Sequence, residues 1–183
     1  MRTLVIGGSA SGKSKFAEGL CAACSQRVYL ATMRPFGDDG TARVQRHRRL
    51  RAGKGFVTIE CPCDVGCALD ELFPSRDGRV VLLEDIGNLV ANELYDESWR
   101  LVGDASAIAA KIDSAVCVLE KRCDELVVVT VDVAVDGVAY VEETAVYQQV
   151  VAQVNAKLAA RFEQVVEVVC GVAVWLKGGC ASK

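Results

Sequence analysis

Short, continuous runs of Val, Ile and Leu alternate along this chain with longer stretches in which apolar residues return every third or fourth position. The runs at 2–6, 27–31, 57–59, 79–83, 125–130, 165–169 and 172–176 predict strands, and the periodic stretches at 13–24, 41–51, 64–73, 105–122 and 144–162 predict helices. Because the runs are continuous, the strands are expected to be buried on both faces, as in a parallel sheet covered by helices. Repeated switching between the two periods predicts an α/β fold, a mostly parallel sheet flanked by helices. Only Cys170-Gly171 separates the last two runs. Two residues cannot carry a crossover between parallel strands, so these runs predict a C-terminal β-hairpin and an antiparallel edge. Loops are expected at 34–40, with Pro35 and two glycines, and around Asp136-Gly137. At 183 residues, 51% of them hydrophobic, the chain suits one well-packed domain spanning 1–183.

The first predicted strand runs straight into Gly7-Gly8-Ser9-Ala10-Ser11-Gly12-Lys13-Ser14, a complete G-x-x-x-x-G-K-S/T pattern. Glycines let backbone N–H groups wrap phosphates, Lys13 can reach the β/γ oxygens, and the Ser14 hydroxyl can hold Mg²⁺. The helix predicted from Lys13 would turn its N-terminus toward the same phosphates. The expected fold is therefore a single P-loop NTPase-like domain that takes a nucleoside triphosphate with Mg²⁺. A formal net charge of −3 offers no global field for nucleic acid or an anionic membrane, and no apolar run is long enough to span a bilayer. The N-terminal apolar stretch is one strand long, which argues against a secretory signal. Nine cysteines, an odd number, fit a reducing cytosol better than a disulfide framework. A metal site can be imagined at Cys21 and Cys24, or at Cys61, Cys63 and Cys67 around Pro62. The second pair at zinc-ribbon spacing is missing, and small buried hydrophobes are the expected reading.

The only histidine, His47, lies in Arg43-Val44-Gln45-Arg46-His47-Arg48-Arg49-Leu50-Arg51. Taken alone, this stretch reads as a solvated basic helix face, and an arginine run can also track a nucleic-acid backbone. The upstream phosphate loop adds a third reading. Arginines suit bidentate phosphate recognition, and surrounding cations lower an imidazole's pKa, leaving it neutral and nucleophilic near an α-phosphate. The stretch lacks interleaved aromatics and the chain is acidic, so nucleic acid is not the expected partner. Among the acids, Glu84 and Asp85 close the 79–83 run, where a phosphate-loop fold places the carboxylate that orients Mg²⁺. Glu60 follows the 57–59 run and could accept from a ribose or a base. Asp132 is a further strand-end acid with a weaker case.

Several of these pieces together resemble the bifunctional adenosylcobinamide kinase / adenosylcobinamide-phosphate guanylyltransferase family of cobalamin biosynthesis. They are the loop from Gly7 to Ser14; Leu30-Ala31-Thr32; Arg43 with His47-Arg48 and Arg51; Thr58, Glu60 and Pro62; and Leu82-Leu83-Glu84 followed by Asn92. Asn155-Ala156-Lys157-Leu158-Ala159 is similar to the family's Asn-Gln-x-Leu-Ala helix, and the stretch from Gly171 to Lys177 to its closing hairpin. The resemblance implies that His47 takes GMP from GTP as a covalent phosphoramidate and passes it to a corrinoid phosphate. It also implies guanine-nucleotide contacts from Gly7 to Ser14, at Ala31, Thr32 and Met33, at Arg48, Arg49, Leu50 and Arg51, and at Glu60 and Glu84. Phosphorylation of adenosylcobinamide by ATP or GTP, and assembly as a homotrimer, belong to the same implication.

The departures gather in one region. The family's Thr-Asn-Glu-Val-Gly reads Thr130-Val131-Asp132-Val133-Ala134 here, and its Arg-x-Phe-Arg-Asp helix segment reads Ala145-Val146-Tyr147-Gln148-Gln149. The spacing from Thr130 to Asn155 is kept, so a helix is expected to remain while its polar functional face is lost. Arg46 stands where some members carry a second histidine, and Asp85 replaces a usual cysteine. Two other functions stay open on the sequence: a P-loop small-molecule kinase with no covalent histidine, and a GTP-binding family member without turnover.

Overall fold

The computed structural model describes residues 1–34, 45, 49, 53–69, 78–133 and 142–179. Among the described residues seven strands form one sheet: β1 (Arg2–Gly7), β2 (Gln26–Ala31), β3 (Phe56–Glu60), β4 (Arg79–Glu84), β5 (Glu125–Val131), β6 (Gln164–Val169) and β7 (Val172–Lys177). Their spatial order is β3-β2-β4-β5-β1-β6-β7, all parallel except β7, which runs antiparallel to β6. Among the described residues the helices include α1 (Lys13–Leu20), α2 (Ile86–Leu94), α3 (Ala105–Arg122) and α4 (Glu142–Arg161), with a 3₁₀ turn at Val65–Cys67. All seven predicted strands are present, within one residue at each end.

Successive strand residues feed opposite faces, and both faces are covered. Leu4, Leu30, Val81, Leu83 and Val128 pack against Leu89, Ile112, Val116, Val154 and Leu158 of α2, α3 and α4. Val5, Tyr29, Leu82, Val127 and Val129 pack on the other side with Ala17 and Cys21. Each fully buried Val or Leu contributes about 1.5–3 kcal/mol, so the continuous apolar runs are what hold the central strands between two helical layers. The chain turns from β6 into β7 with Cys170 at φ 50° and Gly171 at φ 81°. Two consecutive positive φ values are the signature of a type I′ turn, which is why a two-residue connection suffices.

Two helix expectations need adjustment, and one helix is additional. α1 ends at Leu20 and not at residue 24, because the Cys21 and Ala22 amides bond the carbonyls three residues back, to Glu18 and Gly19, and tighten the chain out of the α-helix. The start of the stretch at 64–73 is a 3₁₀ turn, entered through Asp64 in a left-handed conformation, and 70–73 lies outside the described residues. α2 was not foreseen. Its N-cap is Asp85, whose carboxylate accepts from the Asn88 amide at 2.7 Å. The loop expectations at 35–40 and at Asp136-Gly137 lie outside the described residues.

Candidate active site

In a parallel sheet all carboxyl ends share one edge, and ligands of open α/β sheets bind in the crevice outside it. Here that edge carries several of the expected site residues in adjacent register. Ala31 at the end of β2 pairs with Glu60 on one side and Glu84 on the other, while Gly7 at the end of β1 pairs with Val131 of β5.

The loop after β1 has the conformation its glycines permit. Ala10 and Gly12 take φ 57° and 93°, and the Ser11 amide closes on the Gly8 carbonyl at 3.3 Å. Gly7 is needed for space, since a Cβ there would lie 2.6 Å from both Ser11 Oγ and the Val168 carbonyl oxygen. Gly12 caps α1 with no side-chain hydrogen bond, so the first-turn amides stay available to an anion. The Lys13 side chain is buried back over the loop, where its ammonium donates to the Gly8 carbonyl at 3.1 Å. A phosphate entering the loop would offer that ammonium a stronger, charged acceptor.

Across from the loop, the Ser14 hydroxyl donates to Glu84 Oε1 at 2.5 Å. The second carboxylate oxygen, Oε2, is buried and has no hydrogen-bond partner among the described residues. Burial pushes the Glu84 carboxyl up to about 7; Asp85 adds to the rise, and the Ser14 hydrogen bond and the Lys13 charge oppose it. A hydroxyl and a buried acid with one open oxygen, beside a phosphate loop, are the donor set of a hard divalent cation, and Mg²⁺ fits them.

Thr32 stands one residue beyond β2 and is fully buried. Its amide donates to the Glu84 carbonyl at 2.9 Å, and its hydroxyl lies 2.9 and 2.8 Å from the Glu84 and Asp85 carbonyls and accepts from the Asp85 amide at 2.7 Å. Asn92 of α2 donates to the Thr32 carbonyl at 2.8 Å and to the Pro62 carbonyl at 2.9 Å. Thr32 thus braces the row from which Glu84 projects, and Asn92 ties that row to the loop beyond Glu60. Ala31 is buried, Met33 half-buried and Glu60 exposed on the same rim. Sequence reasoning placed Thr32 by resemblance but not its bracing role; a lone threonine after a buried strand carries no signal for it.

Most of the arginine-rich stretch lies outside the described residues. Gln45 and Arg49 are helical and exposed, whereas His47, Arg48, Leu50 and Arg51 lie outside the described residues. Near the end of β5, α4 is present as expected. Thr130 donates to Asn155 Oδ1 at 2.7 Å, Asn155 donates back to the Val131 carbonyl at 3.1 Å, and Gln148 donates to the Val133 carbonyl at 3.1 Å. Tyr147 leans over the start of α2, its hydroxyl 2.9 Å from where a Cβ on Gly87 would sit, with a Val131 methyl at 3.0 Å from the same point. Burial, with Asp85 and Tyr95 adding, pushes the Tyr147 phenol up to about 12. Among the described residues no group of three or more His, Cys, Asp or Glu is placed to hold a metal, and no helix is long and apolar enough to cross a membrane. The Cys61 thiol donates to the Cys63 carbonyl at 3.0 Å.

Residues 3–176 match the family described as cobinamide kinase / cobinamide phosphate guanyltransferase. The chain belongs to that family. It is 33% identical to the bifunctional adenosylcobalamin biosynthesis protein CobU of Escherichia coli, over 97% of this chain and all of that protein. It is 31% identical to CobU of Salmonella typhimurium, again over 97% of this chain and all of that protein. The counterpart CobP of Pseudomonas aeruginosa is 28% identical over 97% of this chain and 98% of its own length. Among solved structures, an ATPase of a type III secretion system aligns with TM-score 0.55 at 11% identity, over 95% of this chain and 57% of that one. The RadB recombinase aligns with TM-score 0.51 at 14% identity, over 91% and 73%. These likenesses establish the P-loop NTPase fold, and family membership makes this family member a nucleotide-binding transferase of cobalamin biosynthesis.

Proposed function

We propose that the whole chain works as one domain that transfers GMP from GTP, through a guanylylated His47, to adenosylcobinamide phosphate, and that it also phosphorylates adenosylcobinamide from ATP or GTP. The observation that carries this reading is the phosphate loop facing a buried Glu84–Ser14 pair at the sheet edge, in a chain matched to the family over 3–176. The loop amides and Lys13 hold the triphosphate, and Ala31, Thr32, Met33 and Glu60 form the rim against the nucleoside. Arg48, Arg49, Leu50 and Arg51 complete the nucleotide contacts. Ser14 and Glu84 would hold Mg²⁺, which neutralises charge on the phosphate oxygens when bound.

In the first step an imidazole nitrogen of His47 attacks the α-phosphorus; a P–N bond forms, the P–O bond to pyrophosphate breaks, and the imidazole proton is released. In the second, a phosphate oxygen of the corrinoid attacks the same phosphorus, the P–N bond breaks, and the histidine recovers its proton. Splitting one transfer into two lets a single site serve donor and acceptor in turn. The reading includes a cytosolic setting and a homotrimer.

GTP labelled at the α-phosphorus tests it. Acid-labile, alkali-stable label on the wild-type protein, absent from His47→Ala, is the expected result. No label, or label that persists in His47→Ala, defeats the covalent mechanism. Kinase turnover surviving in His47→Asn with no label in any variant would instead favour a P-loop kinase without a covalent histidine.

A further inference from the structure

The far side of the phosphate loop from Glu84 is gripped by the C-terminal hairpin. The Gly171 amide, in the β6–β7 turn, donates to the Ser11 carbonyl at 2.8 Å. The Gly171 Cα lies 3.3 Å from the point a Cβ on Gly12 would occupy, and the Val168 carbonyl, at the end of β6, sits 2.6 Å from the corresponding point on Gly7. One strand further out, Trp175 of β7 meets Phe16 of α1 edge to face, with ring centroids 6.2 Å apart. The first and last glycines of the motif are therefore small partly because the hairpin presses against them, and the helix that follows is held by the same hairpin.

A phosphate cradle made of backbone amides works only if those amides already point inward, because ordering them on binding would cost affinity. The loop has two anchors: Ser14 to Glu84 on one side and Ser11 to Gly171 on the other. We propose that the Cys170-Gly171 turn is a positioning element for the phosphate loop, with Gly171 setting the cradle's shape through the Ser11 carbonyl. The inference rests on the reading that this loop holds the triphosphate. It goes beyond that reading by assigning part of the nucleotide affinity to a turn about 160 residues further along the chain.

Gly171 offers a clean lesion. A Cβ there meets nothing within 4 Å, so an alanine acts through the left-handed backbone at φ 81° rather than through a clash. Alanine resists that conformation and asparagine tolerates it, so Gly171→Ala should displace the turn and Gly171→Asn should largely keep it. Binding of GTP and of inorganic tripolyphosphate, each with Mg²⁺, is measured by isothermal titration on the full-length wild type and both variants, alongside nucleotide-free melting curves. Gly171→Ala is expected to weaken both ligands in parallel by about tenfold, with Gly171→Asn within about threefold of wild type. A folded Gly171→Ala with wild-type affinity overturns the inference, as does a GTP loss that tripolyphosphate does not share. Should Gly171→Ala fail to fold, Gly171→Asn decides against Gly171→Gln, a similar-sized residue that tolerates left-handed backbone less well: equal affinities overturn it, a weaker Gly171→Gln supports it. A wild type that binds neither ligand would defeat the nucleotide reading itself.

Discussion

Two halves of the carboxyl edge use the same sheet in opposite ways. Around β1 and β4, backbone is left open and polar groups are left unspent: left-handed loop residues, an uncapped helix start and a buried acid with an open oxygen. Around β5 and α4, polar side chains are consumed internally, with Thr130, Asn155 and Gln148 closing on one another or on nearby carbonyls. The first arrangement is destabilising unless a ligand completes it, and the second stabilises the fold with no ligand. In this family member, then, the edge around β1 and β4 keeps the features of a binding site. Around β5 and α4, the polar contacts of Thr130, Asn155 and Gln148 among the described residues are devoted to structure.

That contrast can be broken at several points. Lys13→Ala should reduce GTP affinity more than about a hundredfold with little change in melting temperature, since the ammonium serves the phosphates more than the fold; calorimetric titration checks it. Glu84 comes next. Its carboxyl ionises near 7 in the folded protein against 4.5 ordinarily, so the folded state binds the proton more tightly. The contribution to stability is full below pH 4.5 and is lost as pH rises through about 7, a change on the order of 3 kcal/mol for so buried a group. Urea titrations of nucleotide-free protein should show that decline, and Glu84→Gln should abolish it. Asn155→Ala should cost about 2 kcal/mol in the same titrations while leaving GTP affinity within about twofold. A large loss of GTP affinity there would erase the distinction between the halves. The smallest effect is expected of Tyr147→Phe, which should move stability by under about 0.5 kcal/mol and leave nucleotide binding unchanged.

What could be read from the sequence follows the range of the interactions concerned. The seven strands were legible because burial on both faces leaves continuous apolar runs, and the turn at Cys170-Gly171 because two residues admit few geometries. The phosphate loop was legible because its backbone conformation demands glycine at fixed spacing. α2 was missed because Asp85, its N-cap, stood beside Glu84 and was read as a second strand-end acid. The Thr32 brace and the docking of Gly171 on Ser11 join residues 52 and 160 positions apart, and no local pattern announces such contacts. Asn155 shows the middle case: its place on a helix was readable, but its engagement with Thr130 depends on β5 and α4 meeting in space.

The central claim is that the chain takes GMP from GTP onto His47 and passes it to a corrinoid phosphate. A single-turnover chase tests it most directly: protein charged with α-labelled GTP, freed of nucleotide, is mixed with adenosylcobinamide phosphate. The account predicts that the label leaves the protein and appears in the corrinoid product. Label that never charges the protein, or that stays on it after the corrinoid is added, contradicts the account.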